Sequence, residues 1–257
     1  MKESQPLEAR NIIVTGAAQG IGREVCRLAL AQGASVVGVD INGEALARAR
    51  AEFGADRFIA VTGSVADPAT AEAATQACRE QLGPVQGLVN NAGIIRPAMI
   101  EKMSLDAWRS IIDVHLTGSF LFLQAVGRAV IEAARAGDTA RCSIVNISSD
   151  AGRKGTVGQI NYGAAKAGVF GLTMCAAREW ARWGIRVNTV AFGVVETPMT
   201  ETIRSEKFRE SYMAQIPLGR WAEPSEGAAP VCFLLSEAAS YITGQHLSVN
   251  GGFVISV

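Results

Sequence analysis

The chain has 257 residues, of which 49% are hydrophobic, and its 24 basic and 24 acidic side chains give a formal net charge of zero at neutral pH. That length and apolar content suffice for one large α/β domain, and the balanced charge gives no reason to expect a nucleic-acid-binding surface. No run approaches the roughly 18 apolar residues of a membrane helix, while five scattered cysteines without a CxxC pair and two separated histidines indicate reduced thiols and no metal site.

The N-terminal part of the sequence predicts a dinucleotide-binding turn. Residues 1–8 lack the apolar core of a signal peptide, so we expect a flexible N-terminus and a cytoplasmic protein. A predicted strand, Ile12–Thr15, then runs into the glycine-rich segment Gly16–Gly22 and a helical pattern. Glycines let the backbone approach a pyrophosphate, and a helix N-terminus offers free N–H groups. The Gly-x3-Gly-x-Gly spacing departs from the standard fingerprint, so this turn alone is a weak indication.

An acidic residue strengthens the dinucleotide hypothesis. Asp40 follows the predicted strand Ser35–Val39 and lies about 20 residues beyond the glycines, where an acid binds the ribose hydroxyls of NAD. The same carboxylate would repel the 2′-phosphate of NADP, and neither Gln19 nor Ile41 supplies a compensating cation. The alternative is that Asp40 caps the helix predicted over Gly43–Glu52.

The rest of the chain continues this alternation of strands and helices, with no linker or repeat between them. Further strands are predicted at Phe58–Thr62, Gly87–Asn90, Ser143–Ile147, Arg186–Ala191 and His246–Val249, and helices at Pro68–Leu82, Asp113–Ala136 and Tyr162–Trp183. Such alternation predicts an α/β fold with a doubly wound parallel sheet and helices on both faces. We expect one domain over residues 1–257.

Three polar residues near the fifth strand form a candidate catalytic group. Ser149 precedes Tyr162 by thirteen positions, and Lys166 follows four positions later, which on a helix places Tyr162 and Lys166 on one face. An ammonium beside a phenol favours the phenolate and lowers a pKa that is about 10 when unperturbed. Such a tyrosine can exchange a proton with a substrate near neutral pH, while the serine hydroxyl stabilises charge on a carbonyl oxygen. The alternative is a surface tyrosine beside a solvated lysine.

Together these motifs resemble the short-chain dehydrogenase/reductase family. The matching segments are Thr15–Gly22, Asn90–Gly93, Ser149 with Tyr162 and Lys166, Arg186–Val190, and Ile242–Gln245 leading to Val249–Gly252. The resemblance runs from about residue 8 to the C-terminus and is strongest to beta-ketoacyl reductases and secondary-alcohol dehydrogenases. It implies a single-domain Rossmann fold with seven parallel strands in the order 3-2-1-4-5-6-7, and a homotetramer.

The resemblance also implies a role for each matching residue. Tyr162 would be the general acid in reduction and the base in oxidation, and Lys166 would bind the nicotinamide ribose besides acting on Tyr162. Asn90, at the carboxyl end of its strand, would lie near the cofactor. The residues implied in cofactor binding are Gly16, Gln19, Gly20, Ile21, Gly22, Asp40, Ser64, Val65, Asn91, Ala92, Gly93, Tyr162, Lys166, Val195 and Thr197.

Three positions depart from the family pattern. His115 stands where the family has a catalytic asparagine that holds a water; a histidine could hold that water with a pH-dependent charge, or it could be a packed helix residue. Phe192 replaces a proline and would either wall the nicotinamide pocket or fill the core. Ser64 replaces an acid near the adenine and would make a weaker contact.

The substrate side of the site is less well defined by the sequence. We expect residues 194–216 to form a mobile lid. Arg153 and Lys154 would either meet an anionic substrate group or form a solvated turn, and the apolar C-terminus Gly252–Val257 suggests an oligomer interface. Other candidate pocket residues are Ile94, Ile95, Arg96, Asp150, Gly152, Gln159 and Phe192.

Three functions are consistent with these features. The first is an NAD-dependent oxidoreductase that interconverts a small secondary alcohol and a ketone. The second is a beta-ketoacyl-(acyl carrier protein) reductase, favoured by the resemblance but disfavoured by Asp40, because such reductases usually use NADPH. The third is a protein that binds NAD without turnover, for which the unusual His115 is the main argument.

Overall fold

A computed structural model of the chain describes residues 5–138 and 141–255. The strands are β1 (Asn11–Thr15), β2 (Ser35–Asp40), β3 (Phe58–Thr62), β4 (Gly87–Asn90), β5 (Cys142–Ser149), β6 (Ile185–Phe192) and β7 (His246–Val249). They form one parallel sheet in the order β3-β2-β1-β4-β5-β6-β7. This confirms the predicted seven-stranded Rossmann fold and its strand order.

Helices cover both faces of the sheet. They are α1 (Gly20–Ala31), α2 (Gly43–Phe53), α3 (Pro68–Gln81), α4 (Leu105–Ile112), α5 (Gly118–Arg135), α6 (Ala151–Lys154), α7 (Ile160–Trp180), α8 (Glu201–Arg204), α9 (Glu206–Met213) and α10 (Pro224–Leu235). Along β1, Ile12 joins the core under α1, α2 and α10, whereas Ile13 joins the core under α3, α5 and α7. Because both sides of the central strands are buried, their sequences are continuously apolar rather than alternating.

A buried polar chain fixes the middle of the sheet. The Asn90 side chain donates to Asn146 Oδ1 at 2.8 Å, Asn146 donates to the Thr173 hydroxyl at 2.9 Å, and the Thr189 hydroxyl donates to the same oxygen at 2.7 Å. These contacts connect β4, β5, α7 and β6. Removing any of these side chains would leave a buried partner without its hydrogen bond, which costs about 1–3 kcal/mol. This row of hydrogen bonds therefore stabilises the packing of β4, β5 and β6.

The helix α4 continues into α5 through a π-helical turn, Asp113–Thr117. The continuous helix Leu105–Arg135 therefore begins earlier than the predicted start at Asp113. Among the described residues it is the one helix that is long and apolar enough to cross a membrane, but 56% of its most apolar window is buried inside the protein, as in a core helix. Single π turns are frequent at functional sites, and His115 lies within this one.

The structure describes most of both chain ends and all of the expected lid. Residues 1–4 of the expected flexible N-terminus, and residues 256–257 of the apolar C-terminus, lie outside the described residues. Leu7 is fully buried, and its N–H donates to the Gln32 carbonyl at 3.1 Å. Residues 194–216 contain α8 and α9, in which every residue is at least partly exposed, while Val194 and Ile216 at the two ends pack with Trp221.

Candidate active site

The glycine-rich turn between β1 and α1 is shaped by contacts that a side chain would block. Gly16 and Gly20 have φ of 66° and 55°, which disfavour residues with a Cβ atom. A Cβ on Gly22 would lie 2.1 Å from the Gly16 carbonyl oxygen. Gly16 and Gly20 therefore form the turn itself, and Gly22 allows the first turn of α1 to pack against it.

Asp40 is the last residue of β2, and its side chain binds the glycine-rich turn instead of capping α2. Its Oδ2 accepts from the Ala18 N–H and its Oδ1 from the Asn42 N–H, each at 3.0 Å. The cap of α2 is supplied by Asn42, whose side chain accepts from the Ala45 N–H at 3.0 Å. The geometry thus assigns the capping role to Asn42, and it leaves Asp40 at the wall of the cleft.

Thr15, which the sequence analysis did not single out as a functional residue, connects the turn to β4. Its hydroxyl oxygen accepts from the N–H groups of Asn91 and Ala92 at 3.0 Å, and the Asn91 side chain donates to the Thr15 and Gly16 carbonyls. These bonds bring the loop after β4 against the glycine-rich turn. The expectation for Asn90 is corrected: its amide belongs to the buried polar chain described above, and Asn91 lines the cleft instead.

Ser149, Tyr162 and Lys166 come together as predicted from their spacing, between the end of β5 and the first two turns of α7. The Lys166 ammonium nitrogen is buried, donates to the Ile147 carbonyl at 2.7 Å, and lies 5.7 Å from the centre of the Tyr162 ring. Burial lowers the pKa of Lys166 to about 7.

The expected direction of the Tyr162 pKa shift is wrong for this structure. Burial raises the pKa of the phenol above its usual value, and a hydrogen bond with the Ser149 side chain partly opposes that rise. The physical reason is that desolvation acts on both groups: the lysine is itself only partly charged near neutral pH, and its ammonium is directed to the Ile147 carbonyl. Tyr162 is therefore a protonated acid at neutral pH.

Asn161 is a positioning residue that the sequence analysis missed. It is fully buried, its side-chain nitrogen donates to the carbonyls of Arg96 and Ala107 at 3.0 and 3.1 Å, and its Oδ1 accepts from the Tyr162 N–H at 2.8 Å. The bonds to Arg96 and Ala107 connect the start of α7 to the loop after β4 and to α4, and the bond from Tyr162 fixes the Asn161 side chain against α7. The sequence could have indicated this role: an asparagine directly before the candidate catalytic tyrosine can both donate and accept hydrogen bonds and so connect neighbouring segments.

His115 is buried and neutral. Its Nε2 lies 2.7 Å from the Ile94 carbonyl oxygen and 3.0 Å from the Ile94 backbone nitrogen, and its ring packs edge-on against Tyr162 with centroids 5.1 Å apart. Its Nδ1 has no hydrogen-bond partner among the described residues. Burial, and then the neighbouring Lys166 charge, lower its pKa to about 3, against a weaker opposing effect of the Ile94 bond. The expected pH-dependent charge is therefore not available near neutral pH.

These elements enclose a cleft of about 400 Å³ along the carboxyl ends of the strands, here called the main cleft. Every predicted cofactor residue except Gly22 lines it, as do Ser149 and His115. Phe192 is 5% exposed, packs in the hydrophobic core under α1, α2 and α10, and also lines the main cleft. Within the described residues, no cluster of three or more His, Cys, Asp or Glu could hold a metal ion.

A smaller cavity of about 90 Å³, here called the side cavity, adjoins the main cleft and shares Ser149, Tyr162 and Phe192 with it. Of the two expected cations, Arg153 donates to the Ser248 hydroxyl and the His246 carbonyl. The Lys154 ammonium lies 3.2 Å above the centre of the Phe253 ring at the wall of the side cavity.

Comparisons with known proteins agree with this architecture. The family model described as enoyl-(acyl carrier protein) reductase matches residues 16–254. The chain is 40% identical to the 3-oxoacyl-[acyl-carrier-protein] reductase FabG of Vibrio cholerae, over 96% of this chain and 98% of that protein, and 39% identical to FabG of Escherichia coli, over 95% and 97%. A crystal structure titled short-chain dehydrogenase/reductase SDR: glucose/ribitol dehydrogenase, from Brucella melitensis, superposes with a TM-score of 0.90 at 32% identity, covering 98% of this chain and 99% of that one.

Proposed function

The chain belongs to the short-chain dehydrogenase/reductase family of oxidoreductases, which bind a nicotinamide cofactor, and from that premise we propose that it interconverts a small secondary alcohol and a ketone with NAD(H). The observation that carries the proposal is the meeting of Ser149, Tyr162 and Lys166 at one end of a cleft whose other wall holds Asp40. A proton donor, Tyr162, and a carboxylate that can accept from ribose hydroxyls, Asp40, thus line the same cleft.

The main cleft fits a dinucleotide. The cradle formed by Gly16 and Gly20 would be filled by a Cβ atom, and the first turn of α1 begins at Gly20, so its N–H groups and dipole suit a pyrophosphate. Asp40 would accept from the adenosine ribose, and Lys166 would hold the nicotinamide ribose. The bound cofactor would supply or accept the hydride, and its remaining contacts would come from the cleft-lining residues named in the sequence analysis.

A preference for NAD over NADP is supported by charge. The Asp40 carboxylate already accepts two backbone N–H groups, so it is held in place at the cleft wall. Among the described residues that line the main cleft, Lys166 is the sole lysine or arginine, and it lies at the opposite end, beside Tyr162. A 2′-phosphate would therefore meet a fixed carboxylate and no compensating cation.

The side chains divide the proton chemistry between them. Tyr162, protonated at neutral pH because burial raises its pKa, donates its proton to the carbonyl oxygen in reduction and takes it back in oxidation. Ser149, which shares a hydrogen bond with Tyr162, donates to the same substrate oxygen where charge develops. Lys166, with its pKa near 7, can return a proton to the phenolate. His115 keeps the Ile94 backbone and the Tyr162 ring in place without titrating.

The second candidate is a beta-ketoacyl-(acyl carrier protein) reductase that uses NADPH. It is favoured by 40% identity over nearly the whole chain to proteins of that name. Asp40 argues against it, for the charge reason given above. Binding of NAD without turnover is the weakest candidate, because Ser149, Tyr162 and Lys166 are all present in one cleft.

The proposal includes assembly and location. Exposed apolar side chains such as Ile255 and Leu247, which are 86% and 39% exposed in the single chain, support a homotetramer in which this end of the sheet is covered. Residues 194–216 would act as a lid over the substrate, and the enzyme would work in the cytoplasm on a small-molecule ketone or alcohol.

A comparison of NADH and NADPH consumption with a panel of small ketones and with an acetoacetyl thioester tests the function. We expect turnover of small ketones with NADH, and at least tenfold lower kcat/KM with NADPH. Faster reduction of the thioester with NADPH would establish the second candidate instead, and absence of turnover with every pair would leave NAD binding alone.

A further inference from the structure

The side cavity contains a carboxylate whose hydrogen bonding is incomplete. Asp150 directly follows Ser149, is 2% exposed and lines the side cavity. Its Oδ2 accepts from the Asn250 side chain at 2.8 Å, whereas its Oδ1 is buried without a hydrogen-bond partner among the described residues. A buried acceptor that lacks a donor costs about 1–3 kcal/mol, so this oxygen requires an explanation.

The backbone brings Asp150 to the same side as Ser149. In an extended strand, neighbouring side chains point to opposite faces, but Asp150 has φ −58° and ψ −25° and begins the helical turn after β5. Both residues therefore line the side cavity, together with Tyr162. Because Asp150 directly follows Ser149 and both line the side cavity, a ketone whose oxygen is held by Ser149 and Tyr162 would present its neighbouring substituent to the part of the cavity that Asp150 lines.

The surroundings of Asp150 determine which donor fits. Arg153 donates to the Ser248 hydroxyl and the His246 carbonyl, and the Lys154 ammonium lies over the Phe253 ring, while Asp150 Oδ1 has no hydrogen-bond partner among the described residues. Their positive charge nevertheless reaches the carboxylate and disfavours a cationic occupant. An anionic group would meet the carboxylate itself. A neutral hydroxyl can donate to Oδ1 without either penalty.

The size of the side cavity limits the rest of the occupant. At about 90 Å³ it has room for a short substituent, and its far wall is aromatic, with Tyr212 stacked on Phe253 at 6.0 Å between ring centres. A long acyl chain exceeds this volume, and its methylene groups would leave Asp150 Oδ1 without a hydrogen-bond donor, which is unfavourable.

We propose that Asp150 is a specificity-determining residue that selects ketones with a hydroxyl group on the carbon next to the carbonyl, and in the reverse direction the corresponding vicinal diols. The inference rests on the proposed ketone reduction and names its substrate class. Asp150 Oδ1 accepts the substrate hydroxyl, Asn250 holds the carboxylate in orientation through Oδ2, and Ser149 and Tyr162 hold the adjacent carbonyl oxygen.

Two isosteric ketones test the proposal: hydroxyacetone, and 2-butanone, in which a methyl replaces the hydroxyl. With NADH, the wild-type kcat/KM should favour hydroxyacetone by about 10- to 100-fold, as expected for a buried hydrogen bond to a carboxylate. In Asp150→Val that preference should fall to about onefold or below while 2-butanone is still reduced. Asp150→Asn, which preserves shape and one pairing with Asn250, should show an intermediate preference and carries the test if the valine variant does not fold. Asp56→Val, at an exposed turn, is the matched control and should leave the ratio unchanged.

The outcomes separate this inference from the proposed function. Equal loss of activity on both ketones in the Asp150 variants, or a wild-type enzyme without preference for hydroxyacetone, would overturn the selective role. If the wild type reduces no ketone of the panel, the proposed function fails, and Asp150 is then judged by binding: saturation-transfer NMR with NAD⁺ present should show hydroxyacetone bound more tightly than 2-butanone by wild type but not by Asp150→Val. Equal binding of the two ketones by wild type contradicts the inference.

Discussion

Replacement of His115 by asparagine should make the protein more resistant to acid. The unfolded chain takes up a proton on this histidine below pH about 6.5, whereas burial holds the folded-state pKa near 3. Between these values the unfolded state binds more protons, so stability falls as the pH decreases from 6.5 to 3. The full effect is about 5 kcal/mol, since one pKa unit corresponds to 1.36 kcal/mol.

The loss of stability on acidification is most readily measured between pH 7 and pH 5. Over that interval His115 alone should remove about 2 kcal/mol from the free energy of unfolding, because about 1.5 units of the window are crossed. Urea unfolding at fixed protein concentration gives this loss for wild type, and His115→Asn should lose about 2 kcal/mol less.

The other histidine provides the matched control. His246 is only partly buried, and its pKa is also lowered, first by burial and then by Arg153, so His246→Asn should recover a smaller share of the acid loss. Equal acid loss in wild type and His115→Asn would show that His115 is protonated in the folded protein, and the neutral positioning role would be wrong. A second readout is the pH profile of ketone reduction, which should show no ionisation removed by His115→Asn between pH 5 and 8.

Three further predictions concern other residues. Asp40→Arg should raise the ratio of kcat/KM for NADPH over NADH by about 10- to 100-fold, because a repulsion of a few kcal/mol becomes an attraction; an unchanged ratio in steady-state assays would show that Asp40 only shapes the turn. Asn161→Ala should cost about 2–4 kcal/mol in urea unfolding, since it removes a fully buried amide and its three hydrogen bonds, with the Arg96 and Ala107 carbonyls and the Tyr162 N–H, whereas Asn42→Ala, which removes an exposed helix cap, should cost about 1 kcal/mol. Between pH 7 and pH 9 the wild type should gain up to about 3 kcal/mol of stability relative to Lys166→Met, because burial lowers the pKa of Lys166 to about 7 whereas the unfolded lysine stays protonated; an identical pH dependence of the two proteins would refute that assignment.

Most of the fold could be predicted from the sequence. Parallel strands buried on both faces are continuously apolar, as in Ser35–Val39, and glycine-rich or polar residues mark their carboxyl ends. Three strands run past their predicted carboxyl ends into residues of the site: β2 to Asp40, β5 to Ser149 and β6 to Phe192. A period-two or period-3.6 pattern does not identify such ends, because the polar residues there face a cleft rather than water.

The site was predictable in its residues but not in its electrostatics. The spacing of Ser149, Tyr162 and Lys166 was enough to place them together. The directions of the pKa shifts for Tyr162 and His115 were not, because burial is the largest cause of both and depends on the packing of distant segments. Asp150 shows the same limit: its significance lies in a hydrogen bond that is absent among the described residues, which no local pattern reveals.

Tyr162→Phe tests the central claim most directly, because it removes one hydroxyl and leaves the ring that packs on His115. The wild type and the variant are compared in ketone reduction with NADH, and NADH affinity is measured separately by fluorescence titration. We predict a fall in kcat of about 10²–10⁴-fold with NADH affinity unchanged within about threefold, while Tyr241→Phe, at a fully exposed position, behaves as wild type. A Tyr162→Phe enzyme that retains more than a tenth of the wild-type kcat would contradict the assignment of Tyr162 as the proton donor.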